Sequence, residues 1–184
     1  KIFASTLLLA LGFNKSDIVN EFYESEIFTF DTKTEKWKTK FNPENYKAKN
    51  FSEEVIDAKN GKVVINLGDK INYLNAKKLA NEGLKDILVT RDSLFGKFLH
   101  KDIKINDEED GTLKIGTELN DTIIQQILDA KINSIEISTT NSINKGPYLL
   151  TTIFNDKNNS KDDAITEIYK MLRPGEPPTI EIAN

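Results

Sequence analysis

The strongest constraint on what this chain can fold into is an internal repeat. Ile71-Asn72, Leu79, Leu84, Ile87 and Val89 recur without a gap as Leu119-Asn120, Ile127, Ile132, Ile135 and Ile137, each 48 positions further on. In each copy an Asn stands where its side chain can cap a helix of about ten residues, and the helix hands over to a short apolar strand. A single copy leaves an apolar helix stripe uncovered, so the two copies are expected to pack on a common sheet or on each other. The middle of the chain is therefore α+β.

The flanks carry their own periodicities. Ile2 to Leu11 reads as a helix that Gly12 can end, and a second helix is expected from an N-cap at Ser16 to about Tyr23, with Ile18, Val19, Phe22 and Tyr23 on one stripe. Alternation over Glu26–Phe30 and Trp37–Phe41 predicts a hairpin turning at Asp31–Glu35. The pair Asn60-Gly61 introduces a strand over Lys62–Leu67. Ser138 to Lys145, followed by Gly146-Pro147-Tyr148-Leu149-Leu150, reads as a connector returning from an inserted module. A loop over Asn155–Asp163 leads into a helix bearing Ala164, Ile165, Ile168, Tyr169, Met171 and Leu172, which Arg173-Pro174 stops.

Composition excludes several kinds of chemistry. There is no Cys, so disulfide scaffolds, thiolate metal sites and Cys nucleophiles are ruled out. With 25 basic residues against 29 acidic ones, the net charge of -4 argues against a free-standing protein that lives on phosphate contacts, and any nucleic-acid contact must be local. His100 has no second His with which to form a metal pair and reads as an ordinary packing or surface residue rather than the base of a small hydrolase. The acidic run Asn106–Gly111 lacks the alternating ligand spacing of a calcium loop and reads as a solvated turn. No phosphate-cradling Gly loop, nucleophile elbow or metal-binding acidic triad is present. No catalytic and no metal-ligating residue is therefore assigned. The opening apolar run Lys1–Leu11 has the look of a secretory signal but no small-residue cleavage site follows it, and it is too short to span a bilayer. The lack of an initiating Met points to a piece of a longer chain.

Three stretches carry a family resemblance. Ile165-Thr166-Glu167-Ile168-Tyr169-Lys170-Met171-Leu172-Arg173-Pro174-Gly175-Glu176-Pro177-Pro178-Thr179 closely resembles the E-I-Y-x-x-x-R-P-G-E-P-P-T signature of the bacterial DNA-directed RNA polymerase β subunit. Lys1-Ile2-Phe3-Ala4 through Leu11-Gly12-Phe13, with Asp17-Ile18-Val19 and Phe22-Tyr23, is similar to that family's R-K-L-P-A…L-R-A-L-G-Y…I-L-x-x-F-F segment. Gly146-Pro147-Tyr148 is similar to its H-G-P-Y turn. Phe3 replaces the family proline, and Leu9 or Ala10 stands where an Arg is usual, which removes a guanidinium that could meet phosphate.

The resemblance implies an α+β fold: a helical β-lobe base made of residues 1–25 and 146–184, and an inserted α+β module over 26–145 containing the two helix-strand units. It implies a non-catalytic, cytoplasmic segment of a nucleotidyltransferase, with Mg bound by another subunit. Implied partners are the β′, α and sigma subunits, DNA in the assembled enzyme, and accessory transcription factors on the insertion, with no membrane. The segment would shape the downstream DNA channel, with Lys1 and Arg173 as its nucleic-acid-proximal residues. Lys1 can equally be a solvated terminus, and Arg173 can equally pair with Glu176 or bond the last helix carbonyls. The competing reading is a free-standing secreted or surface binding module with a remnant signal.

Overall fold

In the computed structural model the described residues are 2–46, 49–50, 53–140 and 146–175. Its helices are α1 (Ala4–Ala10), α2 (Lys15–Phe22), α3 (Tyr73–Asn81), α4 (Asp121–Asp129), α5 (Tyr148–Asn155) and α6 (Lys161–Leu172). Its strands are β1 (Ser25–Asp31), β2 (Lys36–Lys40), β3 (Lys49–Asn50), β4 (Val55–Asp57), β5 (Val63–Ile65), β6 (Lys70–Ile71), β7 (Asp86–Val89), β8 (Phe98–Leu99), β9 (Ile103–Lys104), β10 (Thr112–Leu113) and β11 (Ser134–Ser138). The fold is mixed α+β. The chain divides into two compact units: unit 1 is Lys1–Glu24, Phe98–Thr117 and Ser138–Asn184, and unit 2 is Ser25–Lys97 with Glu118–Ile137.

Unit 2 is built on the repeat. Asn72 and Asn120 are the N-caps of α3 and α4, each accepting a hydrogen bond at 2.9 Å from the backbone three residues on, at Asn75 and Ile123. Both helices close through the same pair of wrapping bonds, Leu84 N–H to Leu79 O at 3.1 Å and Ile132 N–H to Ile127 O at 3.2 Å. Ala76 and Ile124, another pair at the repeat distance, are fully buried. The copies then deliver β7 and β11 to one sheet, in which unit 2's strands run β5-β4-β7-β2-β1-β11. β7 and β11 thus flank the β1–β2 hairpin on either side.

The hairpin places Phe30 opposite Trp37, and β2 places Trp37 opposite Val89 and Thr39 opposite Ile87. These residues share one face by the two-residue period of a strand. Trp37 is wholly buried, with its ring centroid 5.3 Å from that of Phe30.

The repeat also sets a comparison within the chain. The second residue after each helix turns left-handed to make the wrapping bond: Gly83 does so at φ 110°, but its counterpart is Lys131 at φ 63°. A side chain in that conformation costs roughly 1–2 kcal/mol, which Gly avoids at some cost in unfolded-chain entropy. Lys131→Gly should therefore stabilise unit 2 by about 0.5–1 kcal/mol. Gly83→Lys should destabilise it by a similar amount, since a Cβ at Gly83 meets nothing within 4 Å and only the backbone suffers. The single tryptophan lies in unit 2, so denaturant unfolding followed by Trp37 fluorescence reads both changes.

Unit 1 is mainly helical. Its core gathers Leu9 from α1, Ile18 and Val19 from α2, Tyr23, Ile115, Leu150 and Ile153 from α5, and Ala164 from α6. The opening and closing helices of the chain therefore share one core. Two local expectations are corrected. The N-cap of α2 is Asn14 rather than Ser16, because Asn14 and Asp17 form a reciprocal capping box. The stretch Tyr148–Leu150 is the first turn of α5 rather than part of a connector. Leu150 and Ile153, three residues apart, form its buried stripe.

Candidate functional site

Three places could carry function: the family-like residues of unit 1, the isolated His100, and a cleft in unit 2. In unit 1 the two ends of the chain are joined by a buried polar knot. Asp156, 3% exposed in the loop between α5 and α6, accepts hydrogen bonds from Ser5 Oγ at 2.5 Å and Thr6 Oγ1 at 2.9 Å on α1. Its other carboxylate oxygen takes the backbone N–H and the side-chain amide of Asn158 at 3.0 and 2.9 Å. The Asn158 amide also donates to Glu167 on α6. Lys15 Nζ donates to the Asp156 carbonyl at 2.6 Å. A buried carboxylate supplied with this many donors is a fastener rather than a free base.

Burial pushes the Asp156 carboxyl upward, but the donors from Ser5, Asn158 and Thr6 outweigh it, and the group is held below its ordinary value of 3.8. A depressed carboxyl stabilises the fold fully above the unfolded value, and that contribution drains away as the pH falls through the folded value. Unit 1 should accordingly loosen below about pH 4 through this group, an effect absent from Asp156→Asn. Hydrogen exchange of the α1 amides across an acid titration measures it. For Lys15, burial lowers the ammonium's pKa, Asp156 opposes that shift, and Lys114 adds to it.

His100 is 3% exposed, with Nδ1 at 2.8 Å from Ser138 Oγ and Nε2 at 2.8 Å from Asn20 Oδ1. Both ring nitrogens face neutral side chains in a buried setting, the arrangement of a packing residue. Residues 106–110 of the acidic turn are exposed, and the turn is closed by its own backbone, with Gly111 N–H bonding Glu108 O at 2.9 Å. Among the described residues no cluster of three His, Asp or Glu side chains is placed to hold a metal ion. Among them, too, no helix is long and apolar enough to cross a membrane.

Lys1 lies outside the described residues, as do Glu176 and the Pro177-Pro178-Thr179 turn. Arg173 is the exposed C-cap of α6; its N–H bonds Tyr169 O at 2.9 Å and its guanidinium lies 5.7 Å from the Tyr169 ring centroid. The side chain leans on the helix's own aromatic ring.

Unit 2 holds a cleft of about 780 Å³. Its walls include Glu26, Glu53 and Asp92 against Lys40, Arg91 and Lys97. Three charges of each sign produce no net field to attract a polyphosphate. The hydroxyls of Thr39 and Ser93, also in its lining, are buried with no hydrogen-bond partner among the described residues. Neither the cleft nor the knot was found from sequence. The charged wall residues come from segments scattered between Glu26 and Lys97, and Asp156 bonds partners about 150 positions away.

No family model matches the chain. Over all 184 residues it is 35% identical to the DNA-directed RNA polymerase subunit beta of Rickettsia felis. It is 34% identical over the same length to that subunit in Rickettsia rickettsii (strain Sheila Smith) and in Rickettsia prowazekii. Along its whole length the chain matches a segment of the RNA polymerase β subunit. It spans 13% of the length of each of these relatives.

Among the described residues, parts of all three resembling stretches are hydrogen-bonded together in unit 1. Ser5 and Thr6 of the opening stretch, and Glu167 of the closing one, meet through Asp156 and Asn158. The G-P-Y turn joins them, because Tyr23 donates its hydroxyl to the Gly146 carbonyl at 2.8 Å. At Gly146 a Cβ would fall 2.7 Å from the Tyr148 ring, so a side chain there must displace that ring.

Proposed function

We propose that this chain is the lobe segment of a bacterial RNA polymerase β subunit. Unit 1 carries the lobe base that borders the downstream DNA, and unit 2 is an inserted module that offers a docking surface to accessory transcription factors. The segment has no catalytic centre of its own; it contributes shape to an enzyme whose Mg is bound by another subunit. The observation that supports this reading is the single core in which α1, α2, α5 and α6 meet, fastened by Asp156, while Ser25–Lys97 and Glu118–Ile137 build unit 2 and the stretch between them, Phe98–Thr117, belongs to unit 1. A cleavable leader does not suit α1, because Leu9 is wholly buried in that core and its loss would leave a cavity. Partners of the assembled enzyme are the β′, α and sigma subunits and DNA, with Lys1 and Arg173 as the residues nearest the nucleic acid.

The cleft of unit 2, balanced in charge and mixed in polarity, suits a protein partner better than a nucleic acid. Lys40 and Asp92 are both exposed on it. Polymerase carrying Lys40→Glu and Asp92→Lys should assemble and elongate RNA like the unchanged enzyme while losing a factor that the unchanged enzyme binds. Reduced elongation with factor binding intact would overturn the assignment of unit 2 as a docking module.

A further inference from the structure

Helix α1, whose inner face also buries Leu9, is apolar on the side that a surface helix keeps polar. Its inner face carries the hydroxyls of Ser5 and Thr6, both wholly buried and both spent on Asp156. Its outer face carries Phe3, Leu7 and Leu11, spaced four residues apart, at 41, 53 and 75% exposure, and Phe13 follows at 51%. A helix that faces water on one side places polar side chains there. Residues Ile2 to Phe13 contain no charged side chain at all. The exposed stripe therefore has no polar rim along the helix itself.

That absence discriminates among occupants. Interfaces that form and dissolve keep a polar, solvent-accessible rim, whereas permanent ones resemble a core cut in half. A DNA contact would need cations on the stripe, and there are none. A membrane-surface helix needs a charged outer face opposite its apolar one, and here the opposite face is already buried against Asp156. What remains is a permanent apolar surface, present from the moment the chain folds. The segment spans 13% of its relatives, so most of the parent polypeptide lies outside it and is held at high effective concentration by covalent connection.

We propose that the Phe3–Leu7–Leu11 face of α1, with Phe13, is an intrachain seam covered by an apolar surface from another part of the same β subunit. This inference rests on the β-subunit reading above. It assigns the stripe to folding of the subunit itself rather than to assembly with other subunits or to factor binding.

The test uses the full-length β subunit. Leu11→Cys, or Leu7→Cys where the first variant misfolds, is compared with Leu67→Cys in unit 2, where Leu67 is 66% exposed in the segment. Maleimide labelling is followed in the free subunit and in the assembled polymerase. The free subunit should label about tenfold or more slowly at Leu11 than at Leu67, because a covered thiol waits on local opening. Equal labelling at both positions in the free subunit and in the polymerase would overturn the seam. Protection that arises only on assembly would overturn it too, since the occupant would then be another subunit. Co-assembly of the subunit with its partners is scored separately, so failure of the family reading is distinguished from failure of the seam.

Discussion

Asp156→Ala should destabilise unit 1 by on the order of 3–5 kcal/mol, the largest effect of any single polar substitution in the segment. The loss has two sources. Hydrogen bonds to a charged acceptor are worth roughly 1.5–3 kcal/mol each, and Ser5, Thr6 and Asn158 all lose theirs. The donors are then stranded, for the Ser5 and Thr6 hydroxyls are wholly buried and water cannot replace the carboxylate without opening the core. Asp156→Asn keeps one acceptor oxygen and should cost about half as much. Trp37 fluorescence reports unit 2, so hydrogen exchange at the α1 and α6 amides is the appropriate measurement. Exchange should accelerate in both helices together, because the knot fastens one to the other.

Trp37→Ala should cost unit 2 about 3–5 kcal/mol, the usual range for emptying a large aromatic site. Trp37 is wholly buried on a central strand, tilted 56° against Phe30 and paired across the sheet with Val89. Trp37→Phe should cost much less, under about 1.5 kcal/mol, since the volume change is smaller. Its indole N–H has no hydrogen-bond partner among the described residues, so little bonding is lost with it. Far-ultraviolet circular dichroism during denaturation reads the alanine variant, which lacks the fluorophore. A cost as large for Phe as for Ala would show that an N–H contact, not packing volume, holds the site.

What could be read from the sequence follows the range over which each interaction acts. The two helix-strand units were legible because their signals are local: Asn72 and Asn120 cap helices a few residues away, and the apolar positions recur at fixed offsets. The β1–β2 hairpin was legible for the same reason. Helix α5 was not, because Gly146-Pro147 is a strong turn signal and the helix that follows buries few residues. Ser16 was an attractive cap by residue type, yet Asn14 won because only it is placed to exchange bonds with Asp17. Asp156 was invisible in principle. An acid in an Asn- and Lys-rich loop has the signature of a solvated residue, and only the fold brings Ser5 and Thr6 to it.

The surface is less legible in the sequence than the fold. Arg173 stands in the sequence as a cation near a motif end, and in the fold its guanidinium lies 5.7 Å from the ring centroid of Tyr169. The exposed stripe on α1 was visible only as an apolar run. Its outward direction depends on Ser5 and Thr6 facing inward, which again depends on Asp156.

In the proposed role the chain is a structural part of a multisubunit polymerase and performs no chemistry by itself. One affinity purification tests it most directly: the full-length parent chain and the 184-residue segment, each tagged, are captured from their own cells and assayed for nucleotide incorporation. The parent should bring β′ and α with it and polymerise RNA on a DNA template, while the segment alone should incorporate nothing. A parent chain captured without those subunits, or nucleotide incorporation by the isolated segment, would contradict it.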